Sequence, residues 1–183
     1  MRIISGIWKG RRLISPKGMD VRPTSDKVKE AVFNIIRTRI TGSRALDLFA
    51  GTGSLGLELL SRGGIKVVFV EKNHYVFSVL KMNCNNIASP EQYEAILMDS
   101  FDAIKMLSLK DQSFDIIFID PPYKSELKSK ALSAICAGNL LVHEGIAVVE
   151  HDHKDYQPDI AGDLVKIYER RLGNTGVTLY KRG

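Results

Sequence analysis

Asp120-Pro121-Pro122-Tyr123 comes directly after the apolar run Phe114-Asp115-Ile116-Ile117-Phe118-Ile119. The run is short and rich in β-branched and aromatic residues, so it reads as a buried strand. The two prolines end that strand and fix the backbone just past its carboxyl end. In an open α/β sheet, ligands sit outside the carboxyl ends of the strands. A carboxylate, a rigid pair of carbonyls and an aromatic face are therefore expected where a ligand binds. The set suits a flat base with an exocyclic amino group. Asp120 and the Pro121 carbonyl can accept from the NH2, and Tyr123 can stack on the ring. An ordinary strand-ending turn with a helix cap would need neither the second proline nor the tyrosine.

A second cluster is Asp47-Leu48-Phe49-Ala50-Gly51-Thr52-Gly53-Ser54-Leu55-Gly56. It contains G-x-G-x-x-G at Gly51, Gly53 and Gly56, and Glu71 ends the next expected strand, where an acid can hold two ribose hydroxyls. These residues alone leave a nicotinamide or flavin enzyme open. Two features favour S-adenosylmethionine (AdoMet). More than 40 residues precede the motif, whereas a dinucleotide fold usually opens with it. Asp47 also stands four residues before the first glycine, as in AdoMet sites, where an acid ending the first strand sits near the methionine ammonium. The glycines let a ligand approach the backbone without Cβ clashes. At the third strand end, Asp99 can contact the adenine amino group, with Phe101 or a neighbour covering the ring. The plainer role for Asp99 is a helix cap. The expected cofactor set is Asp47, Phe49, Gly51, Gly53, Glu71, Asp99 and Ser100.

These residues need an α/β scaffold, and the pattern from residue 45 supplies one. Strands are expected at Ala45–Phe49, Lys66–Glu71, Tyr93–Met98, Asp115–Asp120 and Gly145–Glu150, with helices at 55–62, 74–86, 101–108 and 125–137 between them. Near-continuous apolar strands alternating with helices predict a parallel sheet covered on both faces. Leu164–Arg171 and Gly176–Lys181, joined by Leu172-Gly173-Asn174-Thr175, read as an antiparallel hairpin. The polar stretch 152–163 reads as a loop or short helix. The expected sheet has seven strands. Before it, Arg22-Pro23-Thr24-Ser25-Asp26 opens a helix. Val28, Ala31, Val32, Ile35 and Ile36 form its apolar face, with Lys27, Lys29, Arg37 and Arg39 off it. Thr41-Gly42-Ser43 ends it.

The 183 residues suffice for one domain with a sizeable core. No apolar run approaches the roughly 20 residues of a membrane span. No apolar signal core opens the chain, where Arg2, Lys9, Arg11 and Arg12 stand instead. Cys84 and Cys136 have no close spacing, which argues against a disulfide framework or cysteine-based zinc. A cytoplasmic protein is expected. His151-x-His153, with Asp152 and Asp155 nearby, has no third ligand at a useful spacing, so no metal is expected.

Charge is concentrated at the N-terminus. Residues 1–44 hold 11 Lys and Arg against 3 Asp and Glu, and the rest of the chain carries a net −3. Residues 1–23 read as a basic arm or hairpin, and 24–183 as the main domain. Such asymmetry suits a polyanion. Arg2, Lys9, Arg11, Arg12 and Arg22 are candidates for RNA phosphates. Trp8 can stack on a base or pin the arm to the core.

The arm narrows the reading. Arg2-Ile3-Ile4-Ser5-Gly6-Ile7-Trp8-Lys9-Gly10-Arg11-Arg12-Leu13, then Arg22-Pro23-Thr24-Ser25-Asp26-Lys27-Val28-Lys29-Glu30-Ala31-Val32-Phe33-Asn34, resembles the RsmD family. Leu57-Glu58-Leu59-Leu60-Ser61-Arg62-Gly63 continues the likeness. The resemblance implies a class I AdoMet-dependent methyltransferase: a Rossmann-like, mostly parallel sheet ending in an antiparallel hairpin, with a short basic N-terminal extension. It implies methylation of the exocyclic N2 of a guanine in bacterial 16S ribosomal RNA, with Asp120, Pro121 and Tyr123 catalytic. It also brings Thr24 beside the methionine end of the cofactor. The expected partner is 16S rRNA or the assembling 30S subunit, met by a monomer. The alternatives are an adenine-N6 methyltransferase, since Asp-Pro-Pro-Tyr fits adenine too, and a non-catalytic ribosome-assembly factor on the same fold.

Overall fold

A computed structural model describes residues 1–16, 25–121 and 125–183. Helix α1 (Asp26–Ile35) precedes β1 (Arg44–Asp47), α2 (Ser54–Ser61), β2 (Lys66–Glu71), α3 (His74–Ile87), β3 (Tyr93–Leu97), α4 (Ser100–Leu109), β4 (Phe114–Ile119), α5 (Ser125–Ala137) and β5 (Leu141–Asp152). Three strands close the chain: β6 (Ile160–Ala161), β7 (Leu164–Leu172) and β8 (Thr175–Arg182). The sheet order is β3-β2-β1-β4-β5-β8-β7-β6. The β1–β2, β1–β4, β2–β3 and β4–β5 pairs are parallel, and the pairs involving β6, β7 and β8 are antiparallel.

The expected mostly parallel sheet with a closing antiparallel hairpin is present. Three details differ. The sheet has eight strands rather than seven, because Ile160–Ala161 pairs with the edge of β7 inside a stretch read as loop or short helix. Two residues carry no periodicity, so such a strand follows from its neighbour alone. Second, β5 runs well beyond Gly145–Glu150 in both directions. Third, α1 stops at Ile35 and a one-turn 3-10 helix, Arg37–Arg39, follows.

The apolar strands bury both faces. One core joins α1, α2 and α3 to the sheet through Val32, Phe33, Leu57, Leu80 and Phe118. The other packs α4 and α5 through Ile104, Leu107, Leu132 and Ile135. The first sixteen residues are part of the former. Arg2 and Arg12 form an antiparallel bridge, and Ile3 and Leu13 are buried. Among the described residues, no helix is long and apolar enough to cross a membrane.

Candidate active site

Parallel strands deliver their carboxyl ends to one edge, and four acids stand there. Asp47 ends β1 and pairs in register with Phe69 and Phe118. Glu71 and Asp120 each follow that level by two residues, about 7 Å further along their strands. Asp99 is two residues past Leu97, which pairs with Glu71. The chain leaving β1 is stitched between its neighbours: Leu48 N–H donates to Phe118 O at 3.2 Å and Ala50 N–H to Val70 O at 2.9 Å.

The glycine loop then turns into α2. Gly51 and Gly53 hold φ of 53° and 82°, in the left-handed region that favours glycine. A Cβ on Gly53 would meet Leu80 Cδ1 at 2.6 Å, whereas one on Gly51 would point into open space. Glu71 fixes the loop from β2: its carboxylate accepts from Gly51 N–H at 3.1 Å and Asn73 N–H at 2.8 Å. Among the described residues, no side chain caps α2. Ser54 Oγ, in its first turn, is the one buried side-chain polar atom without a partner among the described residues.

Asp47 lies below this loop, 2% exposed, and accepts from Gly56 N–H at 3.3 Å. Burial pushes its carboxyl from 3.8 up to about 7, the Gly56 bond pulls the other way, and the charges of Asp120 and Glu71 add to the rise. A cation beside Asp47 would reverse the effect.

Asp99 caps α4, accepting from Phe101 N–H at 2.9 Å, with Lys72 Nζ 3.8 Å from its other oxygen. Ser100 is buried and donates to Leu48 O at 2.6 Å, tying α4 to the end of β1. Phe49 is partly buried against the α4–α5 core. Asp120 is half-buried and Pro121 buried. Tyr123, Thr24 and Arg22 lie outside the described residues.

In the arm, Lys9, Arg11 and Arg12 are exposed. Arg2 pairs with Asp26 at 2.9 Å, and Arg11 donates to Asn86 O at 3.1 Å. Trp8 is half-buried against the α1–α3 core, and its backbone N–H donates to Ser61 Oγ at 3.0 Å.

Three residues that hold the arm escaped the sequence reading. Glu58 has a fully buried side chain and accepts from Ile4 N–H at 2.8 Å, Ser5 N–H at 3.0 Å and Arg62 Nε at 2.7 Å. Lys29 was expected off the apolar face of α1. It is instead fully buried, donating to Arg2 O with its Nζ 3.9 Å from Glu58. Desolvation lowers its pKa, and Glu58 and Asp26 oppose that. Asn83 spans two segments: it accepts from Ile14 N–H at 2.8 Å and donates to Ile14 O at 3.1 Å and Thr52 O at 3.0 Å. The available signal was polarity on apolar helix faces, above all Glu58 in Ser54–Ser61, a helix buried on every side.

His151 and His153 do not converge on a cation. His151 is buried; Nδ1 bonds Asp152 O at 2.7 Å and Nε2 bonds Thr178 Oγ1 at 2.8 Å, so the partners assign the proton to Nδ1. Burial lowers its pKa. Among the described residues, no group of three His, Cys, Asp or Glu could hold a metal ion.

The comparisons with known proteins agree with this architecture. The chain is 38% identical over 182 residues to a candidate rRNA methyltransferase of Bacillus subtilis, YlbH, covering 100% of this chain and 99% of that protein. It is 37% identical to "Ribosomal RNA small subunit methyltransferase D" of Haemophilus influenzae, covering 99% and 93%. A solved structure of the Escherichia coli candidate methyltransferase yhhF superposes with a TM-score of 0.86 at 29% identity, covering 100% and 97%. The family model described as "Conserved hypothetical protein 95" matches residues 1–181, and with that match over nearly its whole length the chain belongs to the RsmD family.

Proposed function

We propose that this protein methylates the exocyclic N2 of a guanine in bacterial 16S ribosomal RNA, using AdoMet. The observation that carries the reading is the meeting of Asp47, Glu71, Asp99 and Asp120-Pro121 at one sheet edge, on a chain whose relatives are named small-subunit rRNA methyltransferases. The residues fit the cofactor. Among the described residues, Gly51 leaves space where a side chain would stand, Ser54 offers an unpartnered hydroxyl, and no cation pairs with buried Asp47. In this reading Asp47 faces the methionine ammonium, Glu71 the ribose hydroxyls, and Asp99-Ser100 the adenine. Phe49, Gly51 and Gly53 line the pocket, and Thr24 closes it.

When bound, AdoMet supplies an electrophilic methyl. The free amine of guanine donates its lone pair into the ring, which makes it a poor nucleophile. Asp120 and the Pro121 carbonyl accept its two N–H bonds, turn the lone pair out of conjugation and aim it at the methyl. Positive charge grows on that nitrogen, the Asp120 carboxylate stabilises it, and the methylated amine then gives up one proton to water. Tyr123 stacks on the base, which must leave its helix to reach this edge. Arg2, Trp8, Lys9, Arg11, Arg12 and Arg22, in an arm of residues 1–23, hold the flanking RNA against the domain of residues 24–183. The protein acts as a monomer on 16S rRNA or the assembling 30S subunit. Nucleoside mass spectrometry of 16S rRNA after incubation with protein and AdoMet tests the reading.

The Asp47 assignment makes a separate prediction. A carboxyl with a raised folded pKa stabilises the fold below its unfolded value and progressively loses that effect as pH rises to the folded one. Asp47→Asn keeps an acceptor for Gly56 but cannot ionise. It should melt higher than the ligand-free wild type at pH 8, with the gap opening between about pH 4 and 7 and reaching at most about 4 kcal/mol. The same variant should bind AdoMet at least about tenfold more weakly at pH 8. Thermal melts across pH, with and without AdoMet, check both; a pH-independent gap would remove the assignment.

A further inference from the structure

The net positive charge of the first 44 residues hides a second basic surface, built partly from the acidic remainder of the chain. A groove of about 530 Å³ runs between α1 and the β7–β8 hairpin. Lys27, Glu30, Ala31 and Asn34 form its helical wall, spaced i, i+3, i+4 and i+7. Arg170, Arg171, Leu172 and Gly173 form the other. Arg170 shares a strand face with Tyr168 and Leu172, both packed against the core that α1 covers, so it is on the α1 side. Arg171 Nε donates to Gly173 O at 2.8 Å, which holds its guanidinium at the hairpin tip. Three cations, Lys27, Arg170 and Arg171, and one acid, Glu30, line the groove.

Its position matters as much as its charge. Strand β8 runs antiparallel to β5, with Thr175 opposite Asp152. The hairpin tip is therefore at the carboxyl edge of the parallel strands, the edge that carries Asp120. Thr175 pairs three residues beyond Val149, which is level with Ile119, so the tip projects about 10 Å past the end of β4. On the other side the groove adjoins the arm: Arg2 pairs with Asp26, next to Lys27. Arg2, Lys27 and the hairpin tip therefore adjoin one another, with Asp26 and Glu30 among them.

We propose that this groove holds the sugar-phosphate backbone of the RNA strand that carries the target base, with Lys27 and Arg170 on its phosphates. The inference rests on the RNA reading above and adds a binding surface outside the arm. A base drawn out of its helix leaves a strained, unpaired backbone, and cations on both flanks of the site hold it.

The test uses the full chain and a 16S rRNA transcript. Kd is measured between 50 and 200 mM salt for wild type, the double variant Lys27→Ala/Arg170→Ala, and Arg170→Lys. The double variant should bind about tenfold more weakly at low salt, and its salt slope should fall by about 1.4, at roughly 0.7 per single-stranded phosphate. Arg170→Lys keeps the charge and should keep the slope. AdoMet affinity, read by calorimetry, should match wild type in both and report an intact fold. An unchanged slope and affinity in the double variant would overturn the proposal. So would weaker binding to 30S particles alone with the transcript unaffected, since the groove would then face a protein of the particle. Wild type that binds transcript but transfers no methyl to it or to 30S particles would sink the proposed function, while the salt slopes still score the groove.

Discussion

Replacing Asp120 with Ala is expected to lower methyl transfer to 16S rRNA by about 10²–10⁴, with the fold and cofactor binding retained. Two losses combine. The amine no longer meets a carboxylate that turns its lone pair toward the methyl, and the charge growing on nitrogen has no counter-ion. Asp120 is half-buried at the end of β4 rather than in either core, so its truncation leaves packing intact. Its charge also raises the pKa of Asp47, so the variant should hold AdoMet at neutral pH at least as well as wild type. Asp120→Asn keeps an acceptor without the charge and should fall between the two. Tritium transfer from labelled AdoMet, with calorimetry for cofactor binding, reads all three proteins. Near wild-type transfer by folded Asp120→Ala would remove Asp120 from the chemistry.

Glu58→Ala should be the most destabilising single change in the arm's anchorage. It strips buried Lys29 of its buried carboxylate partner, leaving only the half-exposed Asp26 at 3.9 Å, takes an ion pair from Arg62, and leaves Ile4 and Ser5 N–H without that acceptor. Removing one member of a buried pair costs about 3–5 kcal/mol. In a chain of this size that is a melting-temperature loss of about 6–20 °C. The Ile4 and Ser5 amides should lose hydrogen-exchange protection before the sheet does. Lys29→Met should cost less in the Glu58→Gln background than in wild type, because the uncompensated cation is then gone. Equal cost in both backgrounds would mean that the two residues are not coupled.

The parts of the site that were legible are those whose chemistry is local. Lys66–Glu71 is legible as a strand between its observed ends, because β-branched residues run up to an acid that stops them. The glycine loop was legible because its φ values require glycine. Asp99 illustrates an ambiguity that physics explains: one carboxylate oxygen caps α4, and the other faces Lys72 at the sheet edge. What escaped depends on distant partners. Glu58 meets Ile4 across 54 residues, and Asn83 meets Ile14 across 69. The final hairpin was visible, but nothing local says that β8, not β7, lies against β5.

The arm's charge takes on a more specific meaning. Of the cations in the first 44 residues, Lys29 is enclosed with Glu58, Arg39 donates to Glu144 O, and Arg44 to Gln112 Oε1. Those three serve packing and docking. Of the other described cations, Arg2, Lys9, Arg11, Arg12, Lys27 and Arg37 are exposed, and all but Arg37 lie on the arm and the first turn of α1. The net charge alone could not separate these groups.

The most direct test of the central claim is nucleoside mass spectrometry. 30S particles and protein-free 16S rRNA from a strain lacking this enzyme are incubated with the protein and AdoMet, digested and analysed. The account predicts N2-methylguanosine, absent when Asp120→Ala replaces wild type. N6-methyladenosine in its place, or no new methylated nucleoside from either substrate, would contradict it.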